Sequence, residues 1–167
     1  MDPPRFTTAL FERNVVAAPS SIVRRSLWQR LGGFSTEIAS EDYDLWWRAL
    51  RAGAVFHYDP RLMVHLRQHG ENASADALRV SRSNYALHTA AADLVDDPGL
   101  VRDVLANDLR AIGRSSLGAG LVSEARRAYR ASLRQRRDAR TWAVSVLLGL
   151  PGAAAALRRV NAARRPA

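Results

Sequence analysis

Three carboxylates stand close together just before a pair of tryptophans in the first third of the chain. They are Glu41, Asp42 and Asp44, and Trp46 and Trp47 follow them directly. A carboxylate held within about 3 Å of a hydroxyl can act as a general base and take its proton. Acidic side chains also favour the first turn of a helix, where each adds about 0.3–1 kcal/mol. The stretch is therefore open to a catalytic and to a purely structural interpretation.

The neighbouring residues predict how this acidic stretch is held. Gly32-Gly33 is expected to end a short helix over Arg25–Leu31, because glycine readily adopts the left-handed conformation found after helices. Ser40 is a favourable N-cap for the next helix, which runs to about residue 52 and ends at Gly53. The carboxylates then stand in the first turn of that helix, and Trp46 is expected to face the core.

Three segments around that helix predict β-structure. Asn14–Arg24 is small and β-branched with Pro19 inside it, which is typical of an edge or irregular strand. Ala54–Tyr58 predicts a second strand, and Asp59-Pro60 predicts the turn that follows it. Arg61–Arg67 alternates polar and apolar residues, as a strand with one buried face does. The first part of the chain is therefore predicted to be α/β.

From about residue 75 onward the pattern predicts helices. A long helix over residues 75–94 is broken at Asp96–Gly99, and Leu100–Leu117 with Leu121–Leu133 then form a helical pair. The pair partly fits the tetratricopeptide pattern, with a generic helical hairpin as the alternative. The apolar stretch Thr141–Leu157 is short for a membrane span of ~20 residues. Because Pro151-Gly152 interrupts it, it predicts two helices that meet at a bend.

The charge of the chain is concentrated in its second part. Residues 1–99 hold 11 Arg and 12 acids, a net −1, whereas residues 100–167 hold 14 Arg and 4 acids, a net +10; together these give the overall +9. A basic segment of this kind attracts anionic surfaces such as lipid or nucleic acid. No recognised nucleic-acid motif accompanies it, so nucleic acid is the less favoured partner. The chain contains no cysteine, which excludes disulfides and thiolate metal sites.

The order of these motifs resembles the C-terminal half of glycosyltransferase family 2. The resemblance covers roughly Asn14–Ser74 and is carried by Ser20–Arg25, Gly32-Gly33-Phe34, Glu41–Arg48 and Arg67-Gln68-His69. It implies the A-type glycosyltransferase fold, a Rossmann-like α/β sandwich of which this chain would hold part. Residues 1–74 would then be the acceptor-side half, and residues 75–167 a mainly α-helical extension.

The resemblance implies roles for individual residues. Asp42 matches the acid taken as the catalytic base, and Glu41 would orient the loop or touch the acceptor. His69 matches a metal-holding histidine of some members, and an imidazole ligand suits Mn²⁺ better than Mg²⁺; a solvated histidine is the alternative. Arg67 could face the donor diphosphate or be solvated. Trp47 could stack on an acceptor sugar, and a place in the core is its alternative.

The nucleotide-binding part of the family is not represented in the sequence. No Asp-x-Asp motif precedes Asn14, and Asp42-Tyr43-Asp44 has that form but stands where the base motif belongs. The resemblance thus implies an N-terminally truncated enzyme that transfers a sugar from a nucleotide-sugar to a polysaccharide or cell-envelope acceptor with inversion. A divalent metal (Mn or Mg) is expected for the complete enzyme. The location expected is the cytoplasm or the inner face of the membrane.

A second interpretation comes from the charge distribution. The basic helical tail could dock a protein partner or an anionic membrane, with the first part of the chain as a scaffold and no catalysis. This alternative of a non-catalytic interaction module stays open beside the glycosyltransferase interpretation.

Overall fold

The computed structural model describes residues 3–61, 64–65, 76–150 and 152–157, and the secondary structure of these residues is helical. Two single 3₁₀ turns, Ala18–Ser20 and Ala92–Leu94, connect or extend the helices. The α-helices, in chain order, are α1 (Pro3–Glu12), α2 (Arg25–Leu31), α3 (Glu41–Arg51), α4 (Ala77–Ala91), α5 (Pro98–Gly118), α6 (Val122–Gln135) and α7 (Ala139–Leu147).

The predicted α/β class is wrong for the described part of the chain, which contains no strand. Asn14–Arg24 forms a loop around a 3₁₀ turn, and Ala54–Tyr58 adopts neither helix nor strand. Most of the third predicted strand, Arg61–Arg67, lies outside the described residues. Strand propensity depends on context, because a strand needs a neighbouring backbone for its hydrogen bonds. Val16 and Val23 pack on the helical core instead, whereas Ile22 and Val55 are exposed, so these described segments do not form the Rossmann-like sheet.

The helix end predicted at Gly32-Gly33 and the break predicted at Asp96–Gly99 are confirmed. Gly32 and Gly33 have φ angles of +74° and +72°, and α2 ends before them. A side chain at Gly33 would also meet the ring of Trp28, since a Cβ there would lie 3.0 Å from it. At the break after α4, Asp97 caps α5 by accepting from the backbone N–H groups of Gly99 and Leu100 at 2.8 and 3.0 Å.

The main core joins the N-terminal helices to α4 and α5. Its side chains are aromatic and aliphatic, and each is at least nine-tenths buried. They include Leu10 and Phe11 from α1, Tyr43, Trp46 and Trp47 from α3, Leu87 and Ala91 from α4, and Val104 from α5. This core therefore draws on residues from both sides of the boundary predicted at residue 74.

The predicted helical pair is confirmed as α5 and α6, which pack on each other and, through α5, on the long helix α4. Gly113 allows the close approach of the two helices, because a Cβ there would lie 2.9 Å from the ring of Tyr129. The buried Ser132 hydroxyl donates to the carbonyl of Ala106 at 2.8 Å. Whether the pair is a true tetratricopeptide unit stays a prediction.

The apolar stretch near the C-terminus bends where the sequence predicted. Helix α7 lies before the bend, Gly152 adopts a φ of +78°, and residues 153–157 are helical after it. Leu148 packs with Leu117, Ala125 and Tyr129 in a second, smaller core. Among the helices described, none is long and apolar enough to cross a membrane.

Candidate functional site

A cavity of about 260 Å³ lies where α1, α3, α4 and α5 meet, and it contains the side chain singled out from the sequence, Asp42. The residues that line it all carry polar or charged groups and come from parts far apart in the chain. The lining residues are Glu12, Arg13, Asn14, Ser40, Asp42, Tyr43, Asn84, His88 and Asp108. The fold thus brings the acidic end of α3 into contact with one face of α4.

Asp42 is held at the cavity wall by its neighbours. One carboxylate oxygen, Oδ2, accepts a hydrogen bond from Asn14 Nδ2 at 3.0 Å, and Oδ1 lies 2.7 Å from the backbone N–H of Tyr43. The carboxylate also stands in the first turn of α3, where the helix dipole favours negative charge. An ionised carboxylate has about four acceptor positions, so two contacts leave room for a ligand hydroxyl. Asp42 can therefore accept a proton from a bound hydroxyl.

The other two acids of the stretch have different surroundings. Asp44 is buried and forms an ion pair with Arg48, whose Nη2 lies 2.6 Å from Oδ2 of Asp44. Arg48 also donates to the carbonyl oxygen of Gly33 at 2.8 Å and so ties α3 to the end of α2. Glu41 is half-buried and is not among the residues that line the cavity. Of the three carboxylates, Asp42 is thus the one at the cavity wall.

Ser40 and Asn84 form the edge of the cavity beside Asp42. Ser40 occupies the predicted N-cap position, but its hydroxyl donates to Asn84 Oδ1 at 2.8 Å instead of capping α3. The backbone N–H of Ala39 similarly donates to Ser83 Oγ at 3.0 Å. These bonds fasten the start of α3 to α4. Because the Asn84 carbonyl faces Ser40, its NH2 group is directed elsewhere and can donate to a ligand.

Behind the cavity, a buried hydrogen-bonded chain connects α3, α4 and α5. The Tyr43 hydroxyl contacts His88 Nε2 at 2.7 Å, and His88 Nδ1 lies 2.6 Å from Asp108 Oδ2. Tyr43 also donates to the carbonyl of Leu10. Burial raises the pKa of Tyr43 well above its ordinary value, so the phenol stays protonated at neutral pH. Tyr43 is therefore a structural support for the cavity wall and not a second base.

The remaining predicted site residues are not brought to the cavity. Trp47 is 3% exposed and packs against Phe11 and Tyr43, so its ring is part of the core. Trp46 faces the core as expected and donates from Nε1 to the carbonyl of Val16 at 2.9 Å. The positions proposed for the metal ligand and the diphosphate contact, His69 and Arg67, lie outside the described residues.

The described residues do not supply a donor set for a divalent metal. Within them, no group of three or more His, Asp or Glu side chains is arranged to hold an ion. His88 and Asp108 at the back of the cavity are engaged with each other at 2.6 Å and are largely buried. The metal expected for the complete enzyme therefore has no fitting site in this part of the chain.

Sequence reasoning did not identify the residues that surround Asp42 in the cavity. Asn14 lies 28 positions before it, and Asn84, His88 and Asp108 lie more than 40 positions after it, so no local motif contains them. The spacing of Asn84 and His88 gave one available signal, because residues four apart share a helix face.

Comparison of this chain with protein-family models, with characterised proteins and with solved structures gave no match.

Proposed function

We propose that this chain provides the acceptor side of a sugar transfer related to that of glycosyltransferase family 2, with Asp42 as the general base. One observation carries the proposal. The Asp42 carboxylate stands at the wall of a polar cavity, with one oxygen fixed at 3.0 Å from Asn14 Nδ2. The proposal rests on this geometry and on the motif around Asp42, and it does not require an α/β fold in the described residues.

The chemistry assigned to Asp42 is a single proton transfer. An acceptor hydroxyl donates its hydrogen bond to the carboxylate, and its oxygen attacks the anomeric carbon of the donor sugar. The hydroxyl proton passes to Asp42 while the bond to the nucleoside diphosphate breaks, and the electron pair leaves with the diphosphate. In this proposal the donor is held by a nucleotide-binding half with an Asp-x-Asp motif. In this chain, Ser40 and Asn84 would orient the acceptor.

The size and composition of the cavity fit an acceptor of limited size. Its volume of about 260 Å³ is just below the roughly 300–1,000 Å³ of typical small-molecule sites. Its lining offers the Asn84 amide and the Asp42 carboxylate, which match the donors and acceptors of a sugar hydroxyl pair. We therefore infer that it takes a single sugar unit, with any longer glycan or lipid portion outside it.

Acceptor binding can be measured on this chain alone. The ¹⁵N-labelled protein is titrated with a panel of methyl glycosides, and backbone amide shifts are followed by NMR. We expect at least one sugar to change the amide chemical shifts of Ser40, Asp42 and Asn84. If no glycoside changes the shifts of these three amides, or if the shift changes cluster elsewhere, the acceptor assignment is wrong.

Catalysis is tested by supplying the nucleotide-binding half of a family 2 enzyme and measuring sugar transfer. Removal of a general base lowers rates by about 10²–10⁴-fold, so we expect a loss of that size for Asp42→Asn with little change in acceptor binding. Asp96→Asn makes the same chemical change at an exposed position away from the cavity. Undiminished transfer by Asp42→Asn would exclude Asp42 as the base.

A further inference from the structure

Helix α7 presents an apolar stripe to solvent. Trp142, Val146 and Leu150 are 61%, 47% and 56% exposed, and they follow one another at intervals of four residues. Residues at this spacing share one side of a helix and of the turn that continues it. The other side of α7 is occupied, because Thr141, Ser145 and Leu148 are buried against the rest of the protein. The stripe is therefore uncovered although the helix itself is packed, and a contiguous apolar patch of this kind marks an interaction site.

The helix pair that carries the stripe is strongly basic. Residues 122–157 contain seven Arg and two acids, a net charge of +5. Arg127, Arg130 and Arg134 are exposed at intervals of three and four residues along α6, and in the described structure none of them pairs with a carboxylate. The two acids are already engaged. Glu124 pairs with Arg82 at 2.6 Å, and Asp138 caps α7 at the Thr141 N–H.

We propose that α6 and α7 dock on an anionic lipid surface. The apolar stripe would enter the headgroup region, and the free guanidinium groups of α6 would contact lipid phosphates. A tryptophan in such a stripe suits a membrane interface, since its ring has an apolar body and a polar N–H. The combination of an apolar stripe with unpaired basic residues is that of helices that lie on membranes without crossing them. This inference is independent of the role proposed for Asp42.

The positive charge of α6 and α7 favours lipid over other possible binding partners of the stripe. A second copy of the chain would bring a second net charge of +5 to the same contact, and like charges repel. A neutral apolar partner would leave the arginines of α6 without counter-charges. An anionic bilayer offers a partner for each feature, apolar depth for the stripe and phosphate for the arginines.

Binding is measured by flotation of the full chain with vesicles of phosphatidylcholine alone and with added phosphatidylglycerol, at low and at high salt. We expect binding to the anionic vesicles only, weakened by salt. Quenching by brominated lipid reports mainly the depth of Trp142, because Trp46 and Trp47 are buried and Trp28 is partly buried against the main core. This quenching should be largely lost in Trp142→Phe, whereas quenching that persists in that variant would exclude insertion of the stripe.

Variants with matched controls separate the contribution of the arginines of α6 from that of the apolar stripe of α7. Each arginine near an anionic surface adds about 1 kcal/mol, so the triple change R127Q, R130Q and R134Q should lower vesicle affinity about 100-fold or more. The triple change R24Q, R25Q and R30Q alters the net charge equally at exposed positions on and next to α2 and should have a much smaller effect. Trp142→Ala should weaken binding about tenfold, whereas Tyr58→Ala, also highly exposed, should not.

Three further results would overturn the proposal. The first is no flotation with anionic vesicles at low salt, and the second is equal losses for the two arginine triples. The third is a concentration-dependent dimer that Trp142→Ala abolishes, which would assign the stripe to a second copy of the chain. Since all substituted side chains are exposed, circular dichroism should show unchanged folding in every variant.

Discussion

The Tyr43 hydroxyl lies 2.7 Å from Nε2 of His88, and this contact connects α3, the helix that contains Asp42, to α4. The hydroxyl donates its one hydrogen to the carbonyl of Leu10, and its oxygen also contacts His88 Nε2. Beyond His88, the carboxylate of Asp108 completes the chain at 2.6 Å. The wall of the Asp42 cavity is thus held by polar bonds inside an otherwise apolar core.

The first prediction concerns the stability that this hydroxyl contributes. Tyr43→Phe keeps the ring but leaves two buried polar groups short of a partner, which costs about 1–3 kcal/mol. We expect the free energy of unfolding to fall by that amount in urea denaturation. Tyr58→Phe is the matched control, because Tyr58 is 77% exposed and its hydroxyl is in water. Equal stability of the two variants would show that the buried chain contributes nothing.

The second prediction separates the structural acid from the functional one. Asp44→Asn weakens the buried pair with Arg48 that ties α3 to α2. We expect a loss of about 1–3 kcal/mol in the free energy of unfolding, smaller than the 3–5 kcal/mol of a fully buried pair because Arg48 is partly exposed. Asp42→Asn should stay within about 1 kcal/mol of the wild type, since its bond to Asn14 is exposed. Thermal and urea unfolding of both variants check this, and the reverse order would contradict the division of roles.

The third prediction tests how closely α5 and α6 approach. Gly113→Ala places a methyl group 2.9 Å from the Tyr129 ring, so the two helices must move apart or the ring must shift. Overpacking of this kind costs about 1–3 kcal/mol. Gly118→Ala, in the last turn of the same helix with nothing within 4 Å, should be neutral or stabilising by up to about 1 kcal/mol. If the Gly113→Ala variant were as stable as the Gly118→Ala variant, α5 and α6 would not be in close contact at Gly113.

Much of the helical part could be predicted from the sequence because its signals are local. Asp97-Pro98, Gly32-Gly33 and the apolar periodicity after residue 75 act within one or two turns, and helices form from such short-range bonds. Ala54–Tyr58 could not be predicted in the same way, because a strand depends on a neighbour that the segment itself does not specify. The residues of Ala54–Tyr58 favour a strand, but in the described structure this segment has no strand beside it, and the preceding helix α3 packs against other helices.

The candidate site was predictable only in part, for a related reason. Asp42 was found because it belongs to a short motif at a helix start. Its hydrogen-bond partner Asn14 and its cavity neighbour Asn84, which bonds Ser40, were not found, because tertiary packing alone brings them close to it. Trp47 shows the opposite case. An aromatic residue beside a carboxylate motif suggested a sugar contact, but its position on α3 directs the ring towards Phe11 and into the core.

The last prediction concerns the pH dependence of α7, the helix with the exposed apolar stripe. The pKa of Asp138 lies below its ordinary value, because its carboxylate accepts hydrogen bonds from the Thr141 hydroxyl and backbone N–H. A lowered pKa in the folded state means that the stabilisation is complete above the unfolded pKa of about 3.9 and disappears as the pH falls through the folded value. We expect the Tm of the wild type to fall more steeply below about pH 4 than that of Asp138→Asn, which has no carboxylate to protonate. Asp96→Asn is the control, and the steeper decline should persist in it. Parallel Tm profiles for wild type and Asp138→Asn would show that this cap does not stabilise α7.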